Sequence, residues 1–202
     1  MASKLLEIQL NYLAKLYHPF PQDLENRLPA IRRNDSFHFK AFGENCVVSP
    51  RGISLNGRML TGPRGVLIAL YACHVPGDFP QIGTVNSFKQ FKGAMAYHNA
   101  FATRSEKSLI PYTNQIQRYR NRIISDLDGH ENRVSKGDFS FTLYPLPKVP
   151  LCYIFYLADD EFPASVTCLF AANAESFMPV DGLADVGEYT AKKIIEIIPH
   201  IL

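Results

Sequence analysis

Leu6, Leu10, Leu13 and Tyr17 recur at helical spacing, with Leu5 and Leu16 widening the stripe and Glu7, Asn11 and Lys15 turned away. This periodicity predicts a helix from about Ser3 to Tyr17, stopped by Pro19 and Pro21. A short second helix is expected over 23–28, after which the pattern switches to strict alternation. Phe37, Phe39 and Ala41 alternate with Ser36, His38 and Lys40, and two further apolar runs, 46–48 and 53–55, follow between Gly43-Glu44-Asn45, Pro50-Arg51-Gly52 and Asn56-Gly57. These turn formers predict a meander of three antiparallel strands with a fourth at 58–60. Thr61-Gly62-Pro63 opens a helix with Val66, Leu67, Leu70 and Tyr71 on its buried face, running to about His74.

Residues 77–93 read as irregular chain with one short turn at Ser87 to Phe91. A stretch of that length more often binds something than merely fills space. Helices are expected over 94–105 and 109–127, the second carrying Leu109, Tyr112, Ile116, Tyr119, Ile123 and Leu127 as its apolar stripe, with Pro111 admissible only in its first turn. A C-capping Gly129 and a polar loop at Ser135 to Asp138 lead to strands over 139–143, 151–157 and 165–170. A last helix runs from about Leu183 to Ile198, with Asp181 near its start and Pro199 as its stop. Strands and helices come in blocks rather than in βαβ alternation. The expected fold is therefore α+β, a single domain over 1–202 in which antiparallel sheets built from hairpins pack against about five helices.

Composition narrows the function more than it names it. Forty-seven per cent hydrophobic residues, 20% charged and a net charge of +2 describe a globular domain without the electrostatic footprint of a nucleic-acid or anionic-membrane binder. No run reaches the roughly 18 apolar residues of a membrane span, and polar residues interrupt the first twenty positions before a signal-peptide core can form. The four cysteines, Cys46, Cys73, Cys152 and Cys168, show no C-x-x-C and no neighbouring His at ligand spacing, so no metal site is expected. Together these features point to a reducing, cytoplasmic setting.

Several constellations carry a sharper reading beside a plainer one. If strands 151–157 and 165–170 pair symmetrically about Asp160, Cys152 and Cys168 face each other, either as a redox or soft-metal pair or, as cytosolic chains favour, as two small side chains filling a sheet face. Asp159-Asp160-Glu161 could hold a hard cation or act as paired acid and base, but EF-hand spacing is absent and a charged hairpin tip is the ordinary account, with Phe162 anchoring the loop by burial. Gly62-Pro63-Arg64-Gly65 lacks the lysine and spacing of a P-loop. The basic stretch from Lys89 through Arg104 to Arg122, interleaved with Phe88, Phe91, Tyr97 and Phe101, could stack a base or grip a phosphate, while Arg118 and Arg122 read as a solvated helix face. No H-x-x-x-H, H-E-x-x-H or G-x-S-x-G is present, so no catalytic constellation is recognised.

Pro145-Leu146-Pro147-Lys148-Val149-Pro150-Leu151, Asp160-Glu161-Phe162-Pro163-Ala164 and Leu169-Phe170, with Leu67 to Tyr71, Ser87-Phe88-Lys89, Tyr97, Phe101 and Arg104 before them, resemble a bacterial and archaeal domain family of unknown function over about 60–197. Members of that family also occur fused to the four-cysteine iron-sulfur domain of corrinoid iron-sulfur proteins. The resemblance implies a neighbourhood of anaerobic one-carbon or corrinoid metabolism. It also marks two departures: the iron-sulfur cysteines are missing, and Ala171 stands where the family pattern carries an acidic residue. Two functions follow as expectations. The first is a non-enzymatic accessory domain that docks on a cofactor-bearing redox protein, with no intrinsic cofactor and any iron-sulfur or corrinoid centre supplied by the partner. The second is a small-molecule or cofactor-binding protein whose site brings Tyr97 and Arg104 together with Asp160 and Glu161.

Overall fold

The structure, a computed structural model, describes residues 2–81, 84–132 and 137–199. Helix α1 (Ala2–Tyr17) buries Leu13, Leu16 and Tyr17 against α3 (Pro63–His74), as its stripe requires. The fully buried side chain of Gln9 sits in space left open by Gly65 on α3. With the amide nitrogen turned toward Leu60, Gln9 donates to the Leu60 carbonyl (3.0 Å) and accepts from the Ile53 N–H (3.2 Å). A buried amide satisfied at both ends ties α1 to the strands behind it. The short α2 (Leu24–Arg27) follows the prolines.

The first sheet is the expected meander, with strands β1 (Ile31–Arg33), β2 (Ser36–Ala41), β3 (Glu44–Ser49), β4 (Gly52–Leu55) and β5 (Arg58–Met59) in the order β1-β2-β3-β4-β5. At Asn56-Gly57 both residues adopt positive φ (47° and 78°), the conformation a two-residue hairpin matched to strand twist requires. Strand β1, not expected from sequence, and β5 form the edges, and every residue of both is exposed.

The second sheet has the order β6-β10-β9-β8-β7, from β6 (Val85–Ser87), β7 (His130–Glu131), β8 (Phe139–Leu146), β9 (Val149–Tyr156) and β10 (Ser165–Ala171). Three strands were expected here. The additions β6 and β7 are edge strands of three and two residues, too short for a periodic signal, and β6 lies inside the stretch read as irregular. Strands β8 and β9 run through Pro145 and Pro150 and meet with a register irregularity between Leu143 and Leu146. Alternation buries Phe139, Phe141 and Leu143, Leu151, Tyr153 and Phe155, and Val166, Cys168 and Phe170 on one face.

Helix α6 (Val180–Ile197) buries Leu183, Val186, Ala191, Ile194 and Ile197 against α3, α5 (Thr113–Asp126) and the region before α5. It starts three residues earlier than expected, with Pro179 at the N-cap, and a side chain at Gly182 would press on Met178 and Leu70. Both sheets contribute to one continuous core, and the Phe42 N–H donates to the Pro145 carbonyl (2.6 Å) where they meet. The α+β expectation holds: two five-stranded antiparallel sheets share helices in one domain.

Residues 94–112 depart from the expected helix. They form a 3-10 turn (Ala94–Ala96), α4 (His98–Phe101), a π-helical turn (Ala102–Glu106) and a second 3-10 segment (Lys107–Tyr112) that contains Pro111. Proline cannot donate within an α-helix, so α5 begins only at Thr113. Its stripe is otherwise as read, with Ile116, Ile123 and Leu127 buried and Tyr112 and Tyr119 partly so.

Between β8 and β9, Lys148 folds back into the protein and is 1% exposed. Its ammonium donates to the carbonyls of Pro76 (3.1 Å), Gly77 (3.2 Å) and Asp78 (2.8 Å), which uses all three donors. The Phe79 ring lies 4.6 Å away, and the Lys148 N–H donates to the buried Tyr71 hydroxyl (3.1 Å). The Lys148 hairpin thereby holds the backbone that leaves α3.

Candidate functional site

A π-helical turn admits one residue more than an α turn and so re-aims successive side chains. Here three consecutive polar residues take three directions. Arg104 turns outward and pairs with Glu188 on α6 (3.0 Å). Ser105 turns inward, fully buried, toward Gly187, where a Cβ would press on the Ser105 hydroxyl and the Phe101 ring. Glu106 reaches the second sheet and accepts from the Cys168 N–H (2.9 Å).

Between this turn and α6 lies a cleft of about 230 Å³, lined by Tyr97, Phe101, Arg104, Asp181, Asp185 and Glu188 with two alanines. The three carboxylates stand at i, i+4 and i+7 on α6 and therefore share one face. Burial alone would raise the Glu188 carboxyl, but hydrogen bonds from Lys192 (2.6 Å) and Arg104 outweigh it and hold the group below its ordinary value. Asp185, exposed at the rim, shifts the opposite way: desolvation against the cleft wall, then the negative charges of Glu188 and Asp181, push it up. Neither Asp181 nor Asp185 has a side-chain ion pair or hydrogen bond among the described residues. The floor is aromatic, with Phe101 stacked on Phe88 (centroids 4.4 Å apart) and both rings against Phe170.

Beneath the floor, the Tyr153 hydroxyl and the Cys168 thiol adjoin in full burial. Desolvation raises both well above their ordinary values, and the Glu106 charge raises them further. Burial also raises the Glu106 carboxyl, against the Cys168 N–H and the charges of His98 and Lys107, which lower it. A carboxyl with a raised folded-state pKa binds more protons in the folded chain than in the unfolded one across the window between the two values. Stability therefore falls as pH rises through that window. Replacing Glu106 by glutamine keeps an acceptor for Cys168 and removes this loss. We expect Glu106→Gln to match the parent below about pH 4 and to exceed its stability at neutral pH by less than about 1 kcal/mol, because solvent still screens the carboxyl. A pH-independent difference in urea unfolding would contradict this.

Of the residues singled out from sequence, Tyr97 and Arg104 line the same cleft, whereas Asp160 and Glu161 do not. The latter two lie exposed in the loop joining β9 to β10. There Asp159 Oδ1 accepts from the N–H groups of Glu161 (2.9 Å) and Phe162 (2.7 Å), and these bonds lower its carboxyl pKa. Phe162 does not anchor the loop, since its ring is 66% exposed. The expected Cys152–Cys168 juxtaposition is also corrected. Cys168 stands opposite Tyr153, and Cys152 opposite Leu169, so a one-residue slip sends the thiols to opposite faces. Cys152 instead accepts from Asn132 Nδ2 (3.3 Å). Burial raises all four thiols.

Arg64 at the start of α3 lies 3.6 Å from Glu44, which also meets Lys193. Arg120 and Arg122 pair with Glu131 and Asp126 on the solvated side of α5. Part of the loop expected at Ser135 to Asp138 lies outside the described residues. Among the described residues, no group of three or more His, Cys, Asp or Glu is disposed to hold a metal, and no helix is long and apolar enough to cross a membrane. The acidic face of α6 went unread in the sequence. Its signal, acids at helical spacing opposite Leu183, Val186 and Ile194, is plain once the helix is started at Val180.

Residues 21–193 match a family described as a domain of unknown function, DUF3786. The match takes in the meander as well as residues 60–193 of the region of the resemblance. No curated protein and no solved structure matches the chain.

Proposed function

The chain belongs to the DUF3786 family, domains of unknown function, and from that premise we propose that it is a non-enzymatic accessory domain, taking a cationic group of a partner protein into the cleft between the π turn and α6. The supporting observation is an imbalance of charge. Three carboxylates meet two cations, Arg104 and Lys192, and both cations are committed to Glu188, which leaves Asp181 and Asp185 without counter-ions among the described residues. Tyr97, 42% exposed at the rim, adds an aromatic face. Carboxylates beside an aromatic ring suit a lysine or arginine side chain. The thiols favour binding over nucleophilic chemistry, because the thiolate is the reactive form and all four groups are raised.

The partner in this reading is a cofactor-bearing redox protein of the iron-sulfur or corrinoid kind. Anaerobic capture on immobilised chain is expected to recover a protein with visible iron-sulfur or corrinoid absorption. Asp185→Lys, at an exposed position, is expected to reduce that recovery by about tenfold. Recovery of no chromophoric protein, or equal recovery by the variant, rejects the reading. Tyr97 beside the carboxylates of Asp181 and Asp185 favours a second reading in the same cleft, a small organic cation bound without a partner. Benzylamine that binds there while no protein is captured would select it.

A further inference from the structure

A second groove lies elsewhere, at the junction of α1, α2 and the end of α3, with a volume of about 700 Å³. That size is in the range of small-molecule sites. Its apolar wall is Tyr12, Leu16 and the segment Pro19-Phe20-Pro21. Phe20 packs against Tyr17 (centroids 5.9 Å) and Phe37 (6.1 Å), and the Arg32 guanidinium lies 4.5 Å from its centroid. A wall of prolines and a clamped ring loses little freedom when it is covered.

The polar side of the groove is basic. Arg27 is positioned by Asp23 (3.2 Å) and the Val75 carbonyl (3.3 Å), and its Nη2 makes no hydrogen bond among the described residues. Lys15, exposed in the last turn of α1, makes no ion pair among the described residues. His74 Nδ1 lies 2.8 Å from the Leu70 carbonyl, which can only accept, so Nδ1 carries the hydrogen and Nε2 is left for another partner. Asp23 is the one acid in the lining, and it is paired with Arg27. Cys73 also lines the groove, and its thiol donates to the Tyr12 carbonyl (3.3 Å).

We propose that this groove is a ligand site for a small aromatic or acyl molecule that carries a carboxylate or phosphate. The apolar body lies on Leu16, Phe20 and the flanking prolines, and the anionic head lies between Lys15 and Arg27. The site is separate from the acidic cleft and takes ligands of opposite charge.

Phenyl phosphate, benzoate and benzylamine, titrated separately and followed by amide chemical shifts, test it. One or both anions are expected to shift Leu16, Phe20, Cys73 and His74 saturably, and which of them does so assigns phosphate or carboxylate as the head group. Lys15→Glu is expected to weaken that binding by about tenfold, while Lys4→Glu on the same helix leaves it unchanged. Groove shifts from neither anion, equal shifts from benzylamine, or unchanged affinity in Lys15→Glu would each overturn the proposal. Benzylamine shifts at Tyr97 and Asp185 report on the cleft alone, so the two sites stand or fall separately.

Discussion

Lys148→Met is expected to destabilise the protein by about 3–5 kcal/mol, although methionine matches the lysine stem in length and apolar character. The loss comes from the backbone. Three carbonyls, on Pro76, Gly77 and Asp78, converge on one ammonium, and without it they are left facing an apolar group. Hydrogen bonds to a charged donor contribute about 1.5–3 kcal/mol each when intact, and water at the exposed Gly77 and Asp78 recovers part of the loss. Arginine is a poor substitute, because a planar fork does not suit three oxygens arranged around a point charge. Urea unfolding of Lys148→Met and Lys148→Arg measures this, and a methionine variant within about 1 kcal/mol of the parent would show the cage to be dispensable.

Phe170→Ala is expected to cost a similar 3–5 kcal/mol and, in addition, to loosen the acidic cleft. Phe170 is fully buried where three rings meet, with centroids at 5.9 Å from Phe88, 5.8 Å from Phe91 and 5.6 Å from Phe101. Phe101 is both part of that cluster and a wall of the cleft. The cavity left by alanine therefore removes support from the π turn that carries Arg104. Phe170→Leu, which keeps most of the volume, is expected to cost less than about 2 kcal/mol. If the leucine variant unfolds as readily as the alanine variant, ring geometry rather than volume holds the cluster. If neither affects benzylamine binding at neutral pH, the cleft does not depend on its floor.

What could be read along the chain and what could not divide on the range of the interactions. The α1 stripe, the meander and its Asn56-Gly57 turn, and the buried face of α5 are set by neighbours a few residues away. Those elements were legible. The slip at Cys168 shows the limit: the strands close on Ser165 opposite Tyr156, so the loop 157–164 is centred between Asp160 and Glu161 rather than on Asp160. Half a residue in the centre becomes a whole face of the sheet. Lys148 was visible only as a lysine between prolines, because its three partners lie about seventy positions earlier in irregular backbone that no periodicity marks. The candidate site was half legible. Tyr97 and Arg104 stood out as aromatic and cation in one basic stretch, but the carboxylates they meet are on α6, and only the π turn, itself without a sequence signature, aims Arg104 at them.

The borders of the first sheet bear on how this protein behaves at high concentration. Both of its outer strands leave backbone donors and acceptors open to solvent, and one presents Ile31 at 65% exposure, the other Met59 at 57%. An open row of that kind would accept another copy and lengthen the sheet from molecule to molecule. Arg32 and Arg33 on one border and Arg58 on the other oppose this, since a second copy aligned edge to edge would bring like charges within about 5 Å, well inside the distance over which physiological salt screens them. These three arginines work against extension of the sheet from copy to copy in a way the nearly balanced total charge does not.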